Sequence, residues 1–157
     1  MALKSNFNSN RSMRDIEKQA ERLYEKILNS FIYSGEEFVG NARSQMQDHA
    51  MGTYKDVTTN LRSSIQYFVF HNGELVKAGE SDFSASNRSA IQDFINPKGF
   101  QLIGIAGMNY ASHVETKGYN VISYQADICL LDLTGYLENI GIVKEGAAAR
   151  TEETFIP

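Results

Sequence analysis

From Ser12 to about Ala50 the apolar residues Ile16, Ala20, Leu23, Ile27, Phe31, Phe38, Ala42 and Met46 return at the steps that keep them on one helix face. The spacing predicts a long amphipathic helix with Ser12 as N-cap, Asp15 in its first turn and a bend or break at Tyr33-Ser34-Gly35. So long a helix exceeds what the rest of the chain covers easily. Part of it either packs on a neighbouring subunit or leaves one flank facing water.

The pattern then changes. After an irregular connection around Gly52, Ile65 to Phe70 is dense in aromatic and β-branched residues, Asn72-Gly73 is a strong hairpin signal, and Glu74 to Ala78 returns as the partner strand. Ser84 to Ile95 carries Ala90, Ile91, Phe94 and Ile95 at helical spacing and ends at Asn96-Pro97-Lys98-Gly99, which predicts a short middle helix. Phe100 to Ala106 is a nearly continuous apolar run, the pattern of a central strand, and a further extended segment is expected between Tyr110 and Ser123. Ile128, Leu131, Leu133, Leu137 and Ile140 predict a closing helix from Ala126 to about Ile140, capped by Gly141. The expectation is an α+β fold: long N-terminal helix, antiparallel sheet of about four strands, short middle helix and C-terminal helix.

At 157 residues the chain has room for one domain. The boundaries read as an N-terminal tail over 1–11, the domain over 12–143 and a C-terminal arm over 144–157. The arm is too poor in apolar residues to fold alone, yet it closes on Phe155-Ile156-Pro157, an apolar end suited to anchoring on a partner. Hydrophobic residues at 42% and charged residues at 22% are the usage of a globular domain, not of a disordered chain. No run approaches a membrane span, and residues 1–10 are polar, so the reading places the protein in the cytoplasm or in something assembled there. A net charge of −4 repels phosphate backbones mildly, which argues against nucleic acid as a direct ligand.

Chemistry is sparse. His49, His71 and His113 lie on three different elements, and none is spaced for a shared metal with another histidine or with Cys129. His113 and Glu115 would share a strand face, the minimum for two ligands, or simply be surface neighbours. Cys129 sits in the apolar run Ile128-Cys129-Leu130-Leu131 and reads as a small buried hydrophobe. Gly104 and Gly107 lie in or just after an apolar strand, where glycine marks a bulge or a close backbone approach rather than a nucleotide loop. Glu36-Glu37 reads as part of a solvated helix face. The expectation is a protein with no catalytic residues, no cofactor and no metal.

One segment stands out. Thr58-Thr59-Asn60-Leu61-Arg62-Ser63-Ser64-Ile65 leads from the connection into the first strand as a polar gate, with Leu61 able to plug into the core and Arg62 offering a fork to carboxylates or carbonyls. It also reads as a loop with a surface arginine. Together with Tyr110-Ala111-Ser112-His113-Val114-Glu115 and the helix after it, this segment resembles the tail-completion family of siphophages, small minor tail or neck proteins similar to the lambda minor tail protein Z group. That family has a Thr-Gly-Asn-Leu-Arg-x-Ser stretch after a long first helix, then a hairpin, then Tyr-Ala-x-x-Val-Glu-x-Gly and a closing helix. Thr59 stands where the family has glycine, Gly118 falls later after Glu115 than the pattern asks, and the insert from Ser81 to Ile95 is longer.

The resemblance implies a structural virion or prophage protein, assembled in the bacterial host cytoplasm. It implies a homo-oligomer, a hexameric ring that completes the tail, meets the tail tube or tail terminator protein and the head–tail connector proteins, and lets DNA pass through its lumen without specific binding. Asn60, Leu61, Arg62, Tyr110, Glu115, Phe155 and Ile156 are then the expected interface residues. The alternative from the residues alone is a stand-alone adaptor domain binding a small ligand or a partner in an enclosed pocket.

Overall fold

The computed structural model describes residues 9–45, 60–79, 89, 91–107 and 122–142. Helix α1 spans Ser9–Gln45 and α2 is a single turn over Asn60–Ser64. Strand β1 covers Ile65–His71, β2 Glu74–Ala78 and β3 Phe100–Ala106; a 3-10 turn at Gln92–Phe94 precedes β3, and α3 closes the described chain over Ser123–Asn139. The α+β class stands. The sheet has three described strands in the order β2-β1-β3, both pairs antiparallel, rather than about four. Most of the segment expected to supply a fourth lies outside the described residues, and its end, Ser123, opens α3.

β1 rather than β3 is the central strand. Every β1 residue from Ile65 to Phe70 is buried, because alternate side chains enter two different cores. Ile65, Tyr67 and Val69 face the helices and join Phe31, Phe38, Ala42 and Leu133. Phe68 and Phe70 face the other way, onto Ile91, Ile103 and Ile105. Burying each such side chain contributes about 1.5–3 kcal/mol, so β1 anchors both layers.

The hairpin forms where Asn72-Gly73 predicts it. Asn72 at φ 52 and Gly73 at φ 83 are both left-handed, the turn that matches the twist of its strands. Its tip is tied to the approach to β3: the Asn72 N–H donates to the Gly99 carbonyl and the Gly99 N–H donates to Asn72 Oδ1, both at 2.9 Å. Of the expected middle helix, Ser89 and Ile91 are helical and the chain tightens into the 3-10 turn Gln92–Phe94, after which Ile95 is already extended ahead of Pro97. α3 starts at Ser123, earlier than its apolar spacing announced, and ends as expected. Gly141 sits at φ 77 while its N–H and that of Ile142 donate back to the carbonyls of Glu138 and Leu137, the two bonds of a Schellman cap.

α1 runs unbroken through Tyr33-Ser34-Gly35, and residues 9–11, expected in a tail, are helical. The small residues there serve packing. A β-carbon on Gly35 would lie 2.2 Å from Tyr67 Cδ2, so glycine is what lets the ring lie against the helix backbone. The reverse contact exists one strand over: the Phe38 ring fills the space a β-carbon on Gly104 would take, 2.6 Å from Phe38 Cε1, and Gly104 is the register partner of Tyr67. Gly104 therefore marks a close approach, one of the two roles its place in the strand predicts.

Candidate functional site

A polar crevice runs along the seam where α3 packs on α1. Ser34, Glu37 and Asn41 line one wall, Gln125, Cys129 and Asp132 the other, with Phe38 and Ile128 between them. These positions meet because each helix turns its three- and four-residue repeat toward the other. The crevice encloses no water-sized space, too little for a small-molecule ligand.

Its interactions hold the helices together. The Tyr136 hydroxyl donates to Glu37 Oε2 at 3.0 Å while its ring meets Tyr33 edge-on at 5.4 Å, so Glu37 is a bonded partner rather than part of a solvated face. Partial burial first, then the hydrogen bond to Glu37 and its charge, push the phenol up to about 12. The Cys129 thiol donates to the Ser34 carbonyl at 3.4 Å. Burial, then the charges of Asp132 and Glu37, push it up to about 11, so it remains a thiol at neutral pH. Cys129 is thus half-buried against the Phe38–Ala42–Ile65 cluster and held in its unreactive form. Ser34 is buried, and its hydroxyl has no hydrogen-bond partner.

His71 sits at the opposite end of the sheet, its ring 4.3 Å from that of Phe100 and 5.1 Å from that of Tyr24. Asn72 Nδ2 lies 3.4 Å from His71 Nε2 and Glu74 is the register partner of His71 on β2, so the ring is held by aromatic packing and hairpin neighbours. Among the described residues no three metal-ligating side chains converge, and no helix is long and apolar enough to cross a membrane.

Asn60, Leu61 and Arg62 form the single turn α2, which packs on β3, β1 and α1; Arg62 precedes the first strand and is half-buried. Tyr110, Glu115, Phe155 and Ile156 lie outside the described residues, as do His49, His113 and the Tyr-Ala-x-x-Val-Glu stretch. The contact that clamps the gate comes from Arg43, which the sequence reading passed over. Its Nη2 donates to the Ile65 carbonyl at 3.0 Å, tying the last turn of α1 to the first residue of β1. The available signal was a basic residue near the end of a helix, which marks helix ends generally and no particular contact.

No protein-family model, curated protein or solved structure matches the chain.

Proposed function

We propose that the protein is a structural subunit of the joint between head and tail of a tailed phage or prophage, acting as a ring of copies, six by the resemblance. The observation that carries the reading is apolar surface left uncovered on two separate elements. β2 exposes Leu75 and Val76, and the outer face of α3 exposes Tyr124 and Leu131, the latter 72% accessible. A ring closed by head-to-tail contacts needs two different patches on each subunit that meet across the interface. Charge supports that meeting: Lys77 is exposed beside the β2 pair, and Asp127 and Asp132 are exposed on α3, which carries no basic residue. The order of long helix, gate, hairpin and closing helix also agrees with the tail-completion pattern.

On this reading the subunit works by shape, burying area between copies and against the tail tube and connector. Its acidic balance lets DNA pass without sticking. Asn60, Leu61 and Arg62 would meet a neighbour from beside the Arg43 clamp, and Phe155 and Ile156 would anchor the C-terminal arm on another protein of the particle. The test is deletion of the coding sequence from the phage or prophage that carries it, followed by electron microscopy of the lysate. Full heads and finished tails should accumulate apart, and the full chain supplied in trans should restore joining. Joined particles from the deletion would overturn the proposal.

A further inference from the structure

Asn72-Gly73 is the chain's one Asn-Gly pair, a sequence with chemistry of its own. The backbone nitrogen that follows an asparagine can attack the side-chain amide carbon, and a glycine there leaves that nitrogen unshielded. A bond forms from the Gly73 nitrogen to Asn72 Cγ, the Gly73 N–H proton passes to solvent, and Nδ2 leaves as ammonia with a proton from water. Water then opens the five-membered imide at one of its two carbonyls, giving aspartate or isoaspartate. Ring closure requires the Gly73 nitrogen to swing onto the same side of the Asn72 Cα–C bond as Cβ.

The folded hairpin holds both partners of that step out of place. With Asn72 at φ 52 and Gly73 at φ 83, the turn is the two-residue left-handed kind, whose ψ of about +47° at the asparagine turns the next nitrogen away from Cβ. The side chain is fixed as well. Oδ1 accepts the Gly99 N–H at 2.9 Å, Nδ2 lies 3.4 Å from His71 Nε2, and the Asn72 N–H donates to the Gly99 carbonyl at 2.9 Å. Gly99 is itself braced: the Gln101 side chain accepts the Asn96 N–H at 2.7 Å and donates to the Phe94 carbonyl at 2.8 Å, while Asn96 Oδ1 accepts the Lys98 N–H at 3.0 Å. Pro97 lies over the other half of the turn, its Cα 3.5 Å from where a Gly73 β-carbon would be. Asn72 is nevertheless exposed to water, so conversion waits only on the geometry of the turn. We propose that Asn72 is a modification site governed by the state of the hairpin, protected while the Gly99 clamp is closed and converted to aspartate or isoaspartate when the tip opens. The two products differ in consequence. Aspartate tolerates the left-handed backbone and keeps an acceptor for the Gly99 N–H, so a chain carrying it recloses. Isoaspartate adds a methylene to the main chain inside a two-residue turn, and the tip no longer matches its strands. Chains that linger open are thereby marked permanently. This inference rests on the hairpin alone, not on the head–tail reading.

The full chain and a synthetic peptide of residues 69–76 are incubated side by side at mildly alkaline pH. Conversion at Asn72 is followed by the mass gain from amide to acid and by chromatographic separation of the aspartate and isoaspartate forms. The folded chain should convert on the order of a hundredfold more slowly than the peptide, the factor by which local opening limits the reaction. In urea above the unfolding transition the chain should match the peptide. Gln101→Ala, which removes the brace but no atom of the reacting pair, should speed conversion in native buffer. If that variant fails to fold, wild type in urea below its transition gives the same readout through partial opening. Asn72→Asp should keep slow exchange of the Gly99 amide proton, and its loss would overturn the reclosing of the aspartate form. Conversion of the folded chain at the peptide's rate, none in the denatured chain, or a rate indifferent to both Gln101→Ala and low urea would each overturn the proposal.

Discussion

The ring of Tyr67 lies against the backbone of α1 at Gly35, where a β-carbon would come within 2.2 Å of Cδ2 and 2.6 Å of Cε2. A helix interior disfavours glycine, so the contact is maintained against local preference. Gly35→Ala should destabilise the fold by about 1–3 kcal/mol through overpacking, even after the gain in helix propensity. Gly40, one turn further along the same helix, has nothing within 4 Å of such a carbon. Gly40→Ala should stabilise by about 0.5–1 kcal/mol. Urea melts of the two variants decide the matter, and equal effects would show that Tyr67 yields easily.

Alkaline pH should weaken the α1–α3 seam. The Cys129 thiol is raised from 9.0 to about 11 and the Tyr136 phenol from 10.0 to about 12, so the folded state holds both protons more tightly than the unfolded chain does. Their contribution is whole below pH 9 and is lost as pH climbs through 9–11 for the thiol and 10–12 for the phenol. Melting temperature should fall across that window and fall less steeply in Cys129→Ala and Tyr136→Phe. Thiol labelling at pH 8 gives a second readout, slow on the folded chain and fast in denaturant. Rapid labelling of folded protein would contradict the raised thiol.

Arg43 should matter to the fold more than an arginine at a helix end usually does. Its guanidinium donates to the Ile65 carbonyl, while its Nε is buried without a hydrogen-bond partner. Arg43→Met keeps the stem and removes the donor, and should cost about 1–2 kcal/mol. A midpoint shift in urea with an unchanged slope is the expected signature; no shift would mean that water replaces the bond without cost.

Asn72 combines a left-handed backbone with a side chain that accepts the Gly99 N–H. Asn72→Gly suits the turn and loses only the side-chain amide with its contacts to Gly99 and His71, whereas Asn72→Ala also strains the left-handed backbone and should cost about 1–2 kcal/mol. The order wild type, Gly, Ala in thermal stability tests the assignment, and Ala equal to Gly would refute the backbone part of it.

Removal of residues 144–157 should leave the melting temperature of the free subunit nearly unchanged, because the arm has too few apolar residues to offset its ordering entropy alone. Joining of heads to tails should be impaired, since burial of Phe155 and Ile156 on a partner would contribute about 3–6 kcal/mol before that entropy is counted. A strongly destabilised free subunit, or normal joining, would show that the arm is not an assembly device.

Wherever structure follows from residues close in the chain, the sequence by itself determined it. The period of α1, the Asn72-Gly73 hairpin, the strand at Phe100–Ala106 and the Gly141 cap are each set by neighbours within a turn or two, and each forms where its pattern lies. Tertiary structure decided what depends on distant partners. Ser34-Gly35 reads as a break because small residues weaken an isolated helix, yet it is where Cys129 and Tyr67 dock, and those contacts outweigh propensity. The centre of the sheet went to β1 rather than β3 because centrality depends on what covers both faces, and the residues that cover β1 come from α1, α3 and the Ile91 segment. Arg43 was invisible for the same reason: its partner, the Ile65 carbonyl, lies 22 residues away and carries no side-chain signature. Only the packed body shows which stretch of α1's stripe faces the core, from Ile27 and Phe31 onward, and which of its apolar residues, Met13 and Ile16 among them, stay exposed.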